Sequence, residues 1–271
     1  MQTALGLVYQ DSGGVLVFKK PCIGLLALLL AACGAPRPRP APPQYPVEAP
    51  STPNLPAAHR VYRIDESHSE LRVLVYRAGP LGHLGHNHVI VNRSLHGVVN
   101  VAESGGSVLS MEVPVAGFVV DDAQARSQEG PDFAAAVSED AKSGTLRNML
   151  STALLDADDF PMIIVRSADA AGVRGSPHGA AQEALNAGVP GGGEMIVALT
   201  ISVAGHESTI NAPLTLRSDS NHVSASGSLE LRQSALGLTP YSLMLGALQV
   251  QDAMTIKFDI AADSSGDPNS G

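Results

Sequence analysis

The chain has 271 residues and a formal net charge of −9, with aromatic residues at only 4% and no Trp. Phosphate binding calls for clustered Lys and Arg, and single-strand binding for stacking aromatics, so nucleic acid is excluded as a partner. An apolar content of 44% is ample for a packed core in one domain or two.

Taken in chain order, the first distinctive stretch is Lys19-Lys20 followed by an apolar run from Pro21 to Ala32, ending Leu30-Ala31-Ala32-Cys33-Gly34. The run is shorter than the ~20 apolar residues of a membrane-spanning helix and fits the core of a secretory signal. Residues 1–32 therefore read as a signal peptide. Residues 1–16 fit no part of such a signal, carrying Asp11 and the Gly13-Gly14 pair where a short basic start belongs. Translation is expected to begin later, near Val15 or Val17. The small residues ahead of Cys33 resemble the lipobox of bacterial lipoproteins, which implies a lipidated Cys33 as the mature N-terminus. An ordinary signal peptide cut near the same alanines is the alternative. The expected location is the periplasmic side of a bacterial membrane, held by the lipid. With Cys22 removed and Cys33 acylated, neither cysteine is left for a disulfide. Residues 33–60 form a Pro-rich tether, extended and unable to pack a core.

From Val61 the pattern alternates. Tyr62 to Arg77 reads as one long strand, with Leu71, Val73 and Val75 on one face and Glu70 and Arg72 on the other. Val89 to Val101 is a second strand, interrupted at Asn92-Arg93-Ser94. Val108 to Val120 is a third, with Pro114 marking an edge or a bulge. Leu146, Met149, Leu150 and Leu154 recur at helical spacing and predict a helix over 144–156. Further strands follow over 162–167, 194–204, 207–216, 222–231 and 247–260, with a Gly- and Pro-rich loop over 172–193. Ala204-Gly205-His206 marks a tight hairpin. Eight strands and one inserted helix over residues 61–262 predict an all-β, closed antiparallel barrel, with a sandwich as the structural alternative. Residues 263–271 read as a polar tail.

Chemistry-bearing residues concentrate between Gly79 and Asn92, where His83, His86 and His88 sit in and after a Gly-rich turn. The His-x-x-His-x-His spacing can surround one ion, as open zinc sites require. The competing reading is a polar rim. If Val89 and Val91 line the interior, strand parity turns His86 and His88 outward. His68 reads as a hydrogen-bonded structural residue, His178 as solvated and His206 as exposed. There is no Gly-x-Ser-x-Gly elbow and no phosphate-cradling loop after a strand. The adjacent acids of Asp121-Asp122 and Asp158-Asp159 point apart. Enzymatic activity is not expected.

Several motifs occur together in one order. Tyr62-Arg63-Ile64-Asp65 precedes Ser67-His68-Ser69-Glu70-Leu71, then comes Leu95-His96-Gly97-Val98-Val99, then Asp159-Phe160-Pro161-Met162 with the strand after it. Leu231-Arg232-Gln233-Ser234-Ala235-Leu236-Gly237-Leu238 and Leu248-Gln249-Val250-Gln251-Asp252 complete the series. The set resembles the YceI-like family across residues 61–262. That resemblance implies an exported lipocalin-like barrel holding a polyisoprenoid in an apolar tunnel. The chain departs from the pattern at Gly85-His86-Asn87-His88 and over 130–142, where an Arg-Asp pair is missing. The candidate wall of the tunnel is Leu71, Val73, Val75, Val89, Val91, Leu229, Leu231, Phe258 and Ile260, with Met149 and Phe160 beside the helix. The expected partners are an apolar lipid or isoprenoid and, through Cys33, a membrane; no cofactor or metal is expected. Two other readings stay open: a metal- or haem-associated protein using His83, His86 and His88, and a side-chain-filled barrel serving as an interaction module.

Overall fold

The structure is a computed structural model and describes residues 59–102, 107–167, 191–219 and 221–265. The expected signal peptide, the tether up to residue 58, Cys22, Cys33 and His178 lie outside the described residues; His59 and Arg60, expected as the end of the tether, are strand.

Twelve strands form one antiparallel sheet. They are β1 (His59–Ile64), β2 (Glu70–Ala78), β3 (His88–Asn92), β4 (His96–Ala102), β5 (Ser107–Pro114) and β6 (Phe118–Val120), then β7 (Met162–Ser167), β8 (Gly191–Val203), β9 (His206–Ser218), β10 (His222–Arg232), β11 (Ser242–Leu243) and β12 (Leu248–Ser264). The order β1-β4-β5-β7-β8-β9-β10-β12 closes on itself, because the end of β12 pairs with β1 (Tyr62 opposite Ser264, Ile64 opposite Ala262). This is the eight-stranded closed barrel that the alternation predicts, and closure removes the edges an open sheet would expose.

Three of the eight expected strands are bent in the middle. β12 pairs with β1 at its C-terminal end and with β2 over Gln249 to Asp259, so β1 and β2 are two halves of one wall. β3 and β6 continue that wall beyond β2, as the far halves of β4 and β5. The single strand expected over 62–77 is therefore broken at a short 3-10 turn, Glu66–His68. Asp65 makes the break: its carboxylate accepts from Ser67 N–H at 2.9 Å, Ser67 Oγ at 2.6 Å and His68 Nδ1 at 2.5 Å. The Ser67 hydroxyl and then His68 hold the Asp65 carboxyl down to about 2, and the same contact raises His68. The next break follows Asn92, whose side chain accepts from Ser94 N–H at 2.9 Å and donates to Pro114 O at 2.8 Å. Gly97 is required where β4 crosses β5: a Cβ there would run into the backbone carbonyl of Ser110 and come within 2.9 Å of Ile64.

Among the described residues there are two α-helices, α1 (Ala123–Ser127) on the outer face of β3 and α2 (Glu139–Leu150) against β6. The helix expected over 144–156 thus starts and stops earlier. Ser138 caps its N-terminus by accepting from Ala141 N–H at 3.3 Å, and Glu139 and Asp140 complement the helix dipole in the first turn. Leu154, beyond the helix, still reaches the core from a turn. α1, absent from the sequence reading, is capped by Asp122, which accepts from Ala125 N–H at 2.9 Å. At the far end, β8 begins at Gly191 and β12 runs to Ser264, so part of the expected loop and the start of the expected tail are strand. The β8–β9 hairpin turns through Ala204 and Gly205, both with positive φ, and His206 after it is exposed.

Candidate functional site

The barrel interior is not closed by its own side chains. A cavity of about 520 Å³ runs through it, within the ~300–1,000 Å³ usual for small-molecule sites. β12 alone lines it from Val250 to Ala262. At ~3.3 Å per residue and a strand tilt of ~40°, that run is about 30 Å along the barrel axis. The site is long and narrow, and its wall is overwhelmingly aliphatic.

The two ends differ. Tyr62, Val101, Met195, Leu216, Val223 and Ala262 pack into a buried cluster at the end where β1 begins. At the other end the lining includes Arg77, Leu243 and Gln249, all exposed, so the cavity meets solvent there. Leu243, Met244 and Leu245 stand out from this rim, at 44%, 75% and 108% exposure. Leu84 projects beside them from a loop tied to the same rim by Leu81 N–H donating to Ala247 O at 2.8 Å. An apolar rim on an apolar cavity has no counterpart in a barrel filled by its own side chains.

Of the wall residues read from the sequence, Leu71, Val73, Val75, Met149, Leu229, Leu231, Phe258 and Ile260 line the cavity. Val89 and Val91 do not. Antiparallel register sets His88 opposite Val75, Ile90 opposite Val73 and Asn92 opposite Leu71, so these alternate residues face inward. Val89 and Val91 pack on the outside with Leu74, Ala125 and Phe133. Parity alone misassigned them because a second layer, α1 and the Pro131–Phe133 turn, covers the outer face of β3. Every residue of that strand is buried, so polarity no longer separates its faces. Phe160 also lies off the cavity, against the β8–β9 turn, where a Cβ on Gly205 would come within 2.9 Å of its ring.

The three histidines are separated by the same geometry. His83 is exposed in the 3-10 turn Gly82–Leu84, whereas His86 and His88 line the cavity. Among the described residues no three His, Cys, Asp or Glu side chains come together as metal ligands. His88 is committed instead to a buried polar cluster. Its Nδ1 lies 2.7 Å from Asp121 Oδ2 and its Nε2 lies 3.3 Å from Thr145 Oγ1 of α2. The other oxygen of Asp121 accepts from Val89 N–H at 2.9 Å and from Arg126 at 2.5 Å. Arg126 also donates to Asn87 O and Ala135 O, knitting the approach to β3 to α1 and the segment ahead of α2. Burial pushes the Asp121 carboxyl up, but the hydrogen bonds from His88 and Val89 and the charges of His88 and Arg126 outweigh it and hold it below its ordinary value.

Asp121 is the residue that sequence reasoning missed. In the sequence it reads as half of an acidic pair, and its partner His88 is 33 positions away. The local sign was the pair itself, since Asp122 caps a helix and thereby points Asp121 the other way.

No protein-family model matches the sequence, and no curated protein matches it. Solved structures do. The chain is similar to BcnA of Burkholderia cenocepacia, with 14% identity and a TM-score of 0.48 over 73% of this chain and 98% of that one. It is also similar to a polyisoprenoid binding domain from Saccharophagus degradans implicated in plant cell wall breakdown, with 13% identity and a TM-score of 0.47 over 75% and 98%. A third similar structure is a mutant YceI protein, with 9% identity and a TM-score of 0.41 over 64% and 83%. The identities and the TM-scores are all low.

Proposed function

We propose that the barrel binds and carries one long apolar chain, a polyisoprenoid or a lipid of similar shape, without transforming it. The observation that carries this reading is the cavity, long, narrow and aliphatic, opening at a rim that is itself apolar. A chain gains ~0.8 kcal/mol for each CH₂ it buries, and Leu243 to Leu245 give it an apolar path in beside Arg77 and Gln249. The resemblance of the ordered motifs to YceI-like sequences supports the same ligand class.

The test is a chain-length series, prenols of two to ten isoprene units competing with a fluorescent apolar probe. Affinity is expected to rise by up to about fourfold per buried CH₂, less the ordering entropy of the chain, and to level off once the tunnel is full. Affinity that does not depend on chain length would contradict the carrier reading.

The proposal extends to location: the carrier is exported and tethered to a membrane by a lipid on Cys33. Cys33→Ser should move the protein from the membrane fraction to the soluble one, since the Pro-rich segment after it offers no apolar anchor. A variant that stays on membranes through a high-salt wash would refute the anchor and leave the cavity reading untouched.

A further inference from the structure

Polar side chains are sparse along the cavity, and four of them, His86, His88, Thr145 and Asn148, come from the approach to β3 and from the facing helix α2. Two are imidazoles with opposite circumstances. His88 is 9% exposed and fixed from behind by Asp121. With its Nδ1 proton given to that carboxylate, the ring turns Nε2 toward the cavity as an acceptor, where its one partner is the Thr145 hydroxyl at a long 3.3 Å that a ligand hydroxyl can replace. His86 makes no hydrogen bond among the described residues, and its ring centroid lies 6.1 Å from that of His88.

That spacing fits a single shared oxygen. An oxygen about 2.8 Å from a ring nitrogen is about 4 Å from the ring centroid. Two such legs span 6.1 Å with an angle near 100° at the oxygen, close to that of a hydroxyl. A hydroxyl can donate to Nε2 of His88 while accepting from an N–H of His86, whereas an ether or a hydrocarbon can do at most one of these. A buried cluster of Asp121, Arg126 and His88 is an expensive arrangement if its only task is to hold one strand, and it delivers a tautomer-fixed imidazole to the cavity wall.

We propose that His86 and His88 form a head-group site that holds the terminal hydroxyl of a long-chain alcohol whose tail lies along the cavity. This rests on the carrier reading and narrows it, from any long apolar chain to one that ends in a hydroxyl. Asp121 is a positioning residue that sets the ring and its tautomer, and the ligand hydroxyl takes the place of the Thr145 hydroxyl at Nε2.

The test compares a C20 prenol with its methyl ether and its monophosphate on the full-length protein, and on the His86→Leu and His88→Asn variants. His88→Asn keeps a donor for Asp121 and removes Nε2; His86→Leu disturbs no hydrogen bond among the described residues. The parent should bind the alcohol about fivefold more tightly than the ether, as the one additional hydrogen bond would give. His88→Asn should abolish that preference, because only the alcohol donates to Nε2, whereas His86→Leu should weaken alcohol and ether alike, because both lose the same N–H donor. Equal binding of alcohol and ether by the parent, a preference that survives His88→Asn, or tighter binding of the monophosphate than of the alcohol would each overturn the site. If the parent binds none of the three, the carrier reading falls and the site falls with it.

Discussion

Val73→Glu should leave the barrel folded and strip it of any co-purifying chain ligand. Val73 sits on β2 between Ile90 of β3 and Ile256 of β12, and all three line the cavity. A carboxylate there has aliphatic neighbours on both sides and no cation on these partners. Bringing a hydrocarbon chain against it removes its remaining water, which costs several kcal/mol for an unpaired charge and at least about 1–3 kcal/mol even for a neutral polar group. A loss of ligand affinity of a hundredfold or more follows, at about 1.4 kcal/mol per tenfold. Without ligand the side chain can stay hydrated, because the cavity reaches solvent at the Arg77 and Gln249 end. The far-ultraviolet dichroism of the variant should therefore match the parent. Val91→Glu is a different experiment. Val91 is 1% exposed in the outer layer beneath α1, so that substitution should unseat α1 without placing any charge in the tunnel.

Asp121→Ala should have the largest effect on stability. Asp121 is 2% exposed and answers three donors at once, the His88 ring, Val89 N–H and the Arg126 guanidinium. Its removal leaves a half-buried guanidinium without its counter-charge and a buried backbone N–H without an acceptor. Breaking such a pair costs about 3–5 kcal/mol. Denaturant titration should show that loss, together with faster exchange of the amides of β3 and α1. The pH dependence follows from the direction of the shift. A carboxyl held below its ordinary value of 3.8 contributes its stability above the unfolded-state value and loses it as pH falls through the lower folded-state value. The parent should therefore weaken on acidification below about pH 4, and Asp121→Ala should show a shallower acid limb. A variant within about 1 kcal/mol of the parent would mean the cluster contributes little net stability.

The barrel was legible from alternation because most strands bury one face and wet the other, so β7 to β10 and β12 appear close to where the pattern puts them. The bends were harder to see. Asp65 breaks its strand with a side-chain acceptor rather than with Gly or Pro, and Tyr62 to Arg77 reads through it without interruption. The wall of the site was legible on β2, β10 and β12, where charged residues such as Arg72, Glu230 and Lys257 alternate with the apolar ones. It was not legible on β3, where the outer layer buries Val89 and Val91 as fully as the lumen buries Ile90. The histidine motif was conspicuous, yet its chemistry depends on Asp121 and Thr145, which folding brings up from 33 and 57 positions away. No spacing rule within the motif could supply them.

The central claim is that the cavity holds a chain-like apolar ligand, and native mass spectrometry of the protein purified in mild conditions from its own cells tests it most directly. The account predicts a bound species whose mass belongs to a single long-chain lipid, in one copy per chain, released by organic solvent and absent from Val73→Glu. A parent protein that flies only at its own mass, and that takes up no prenol when one is supplied, would contradict it.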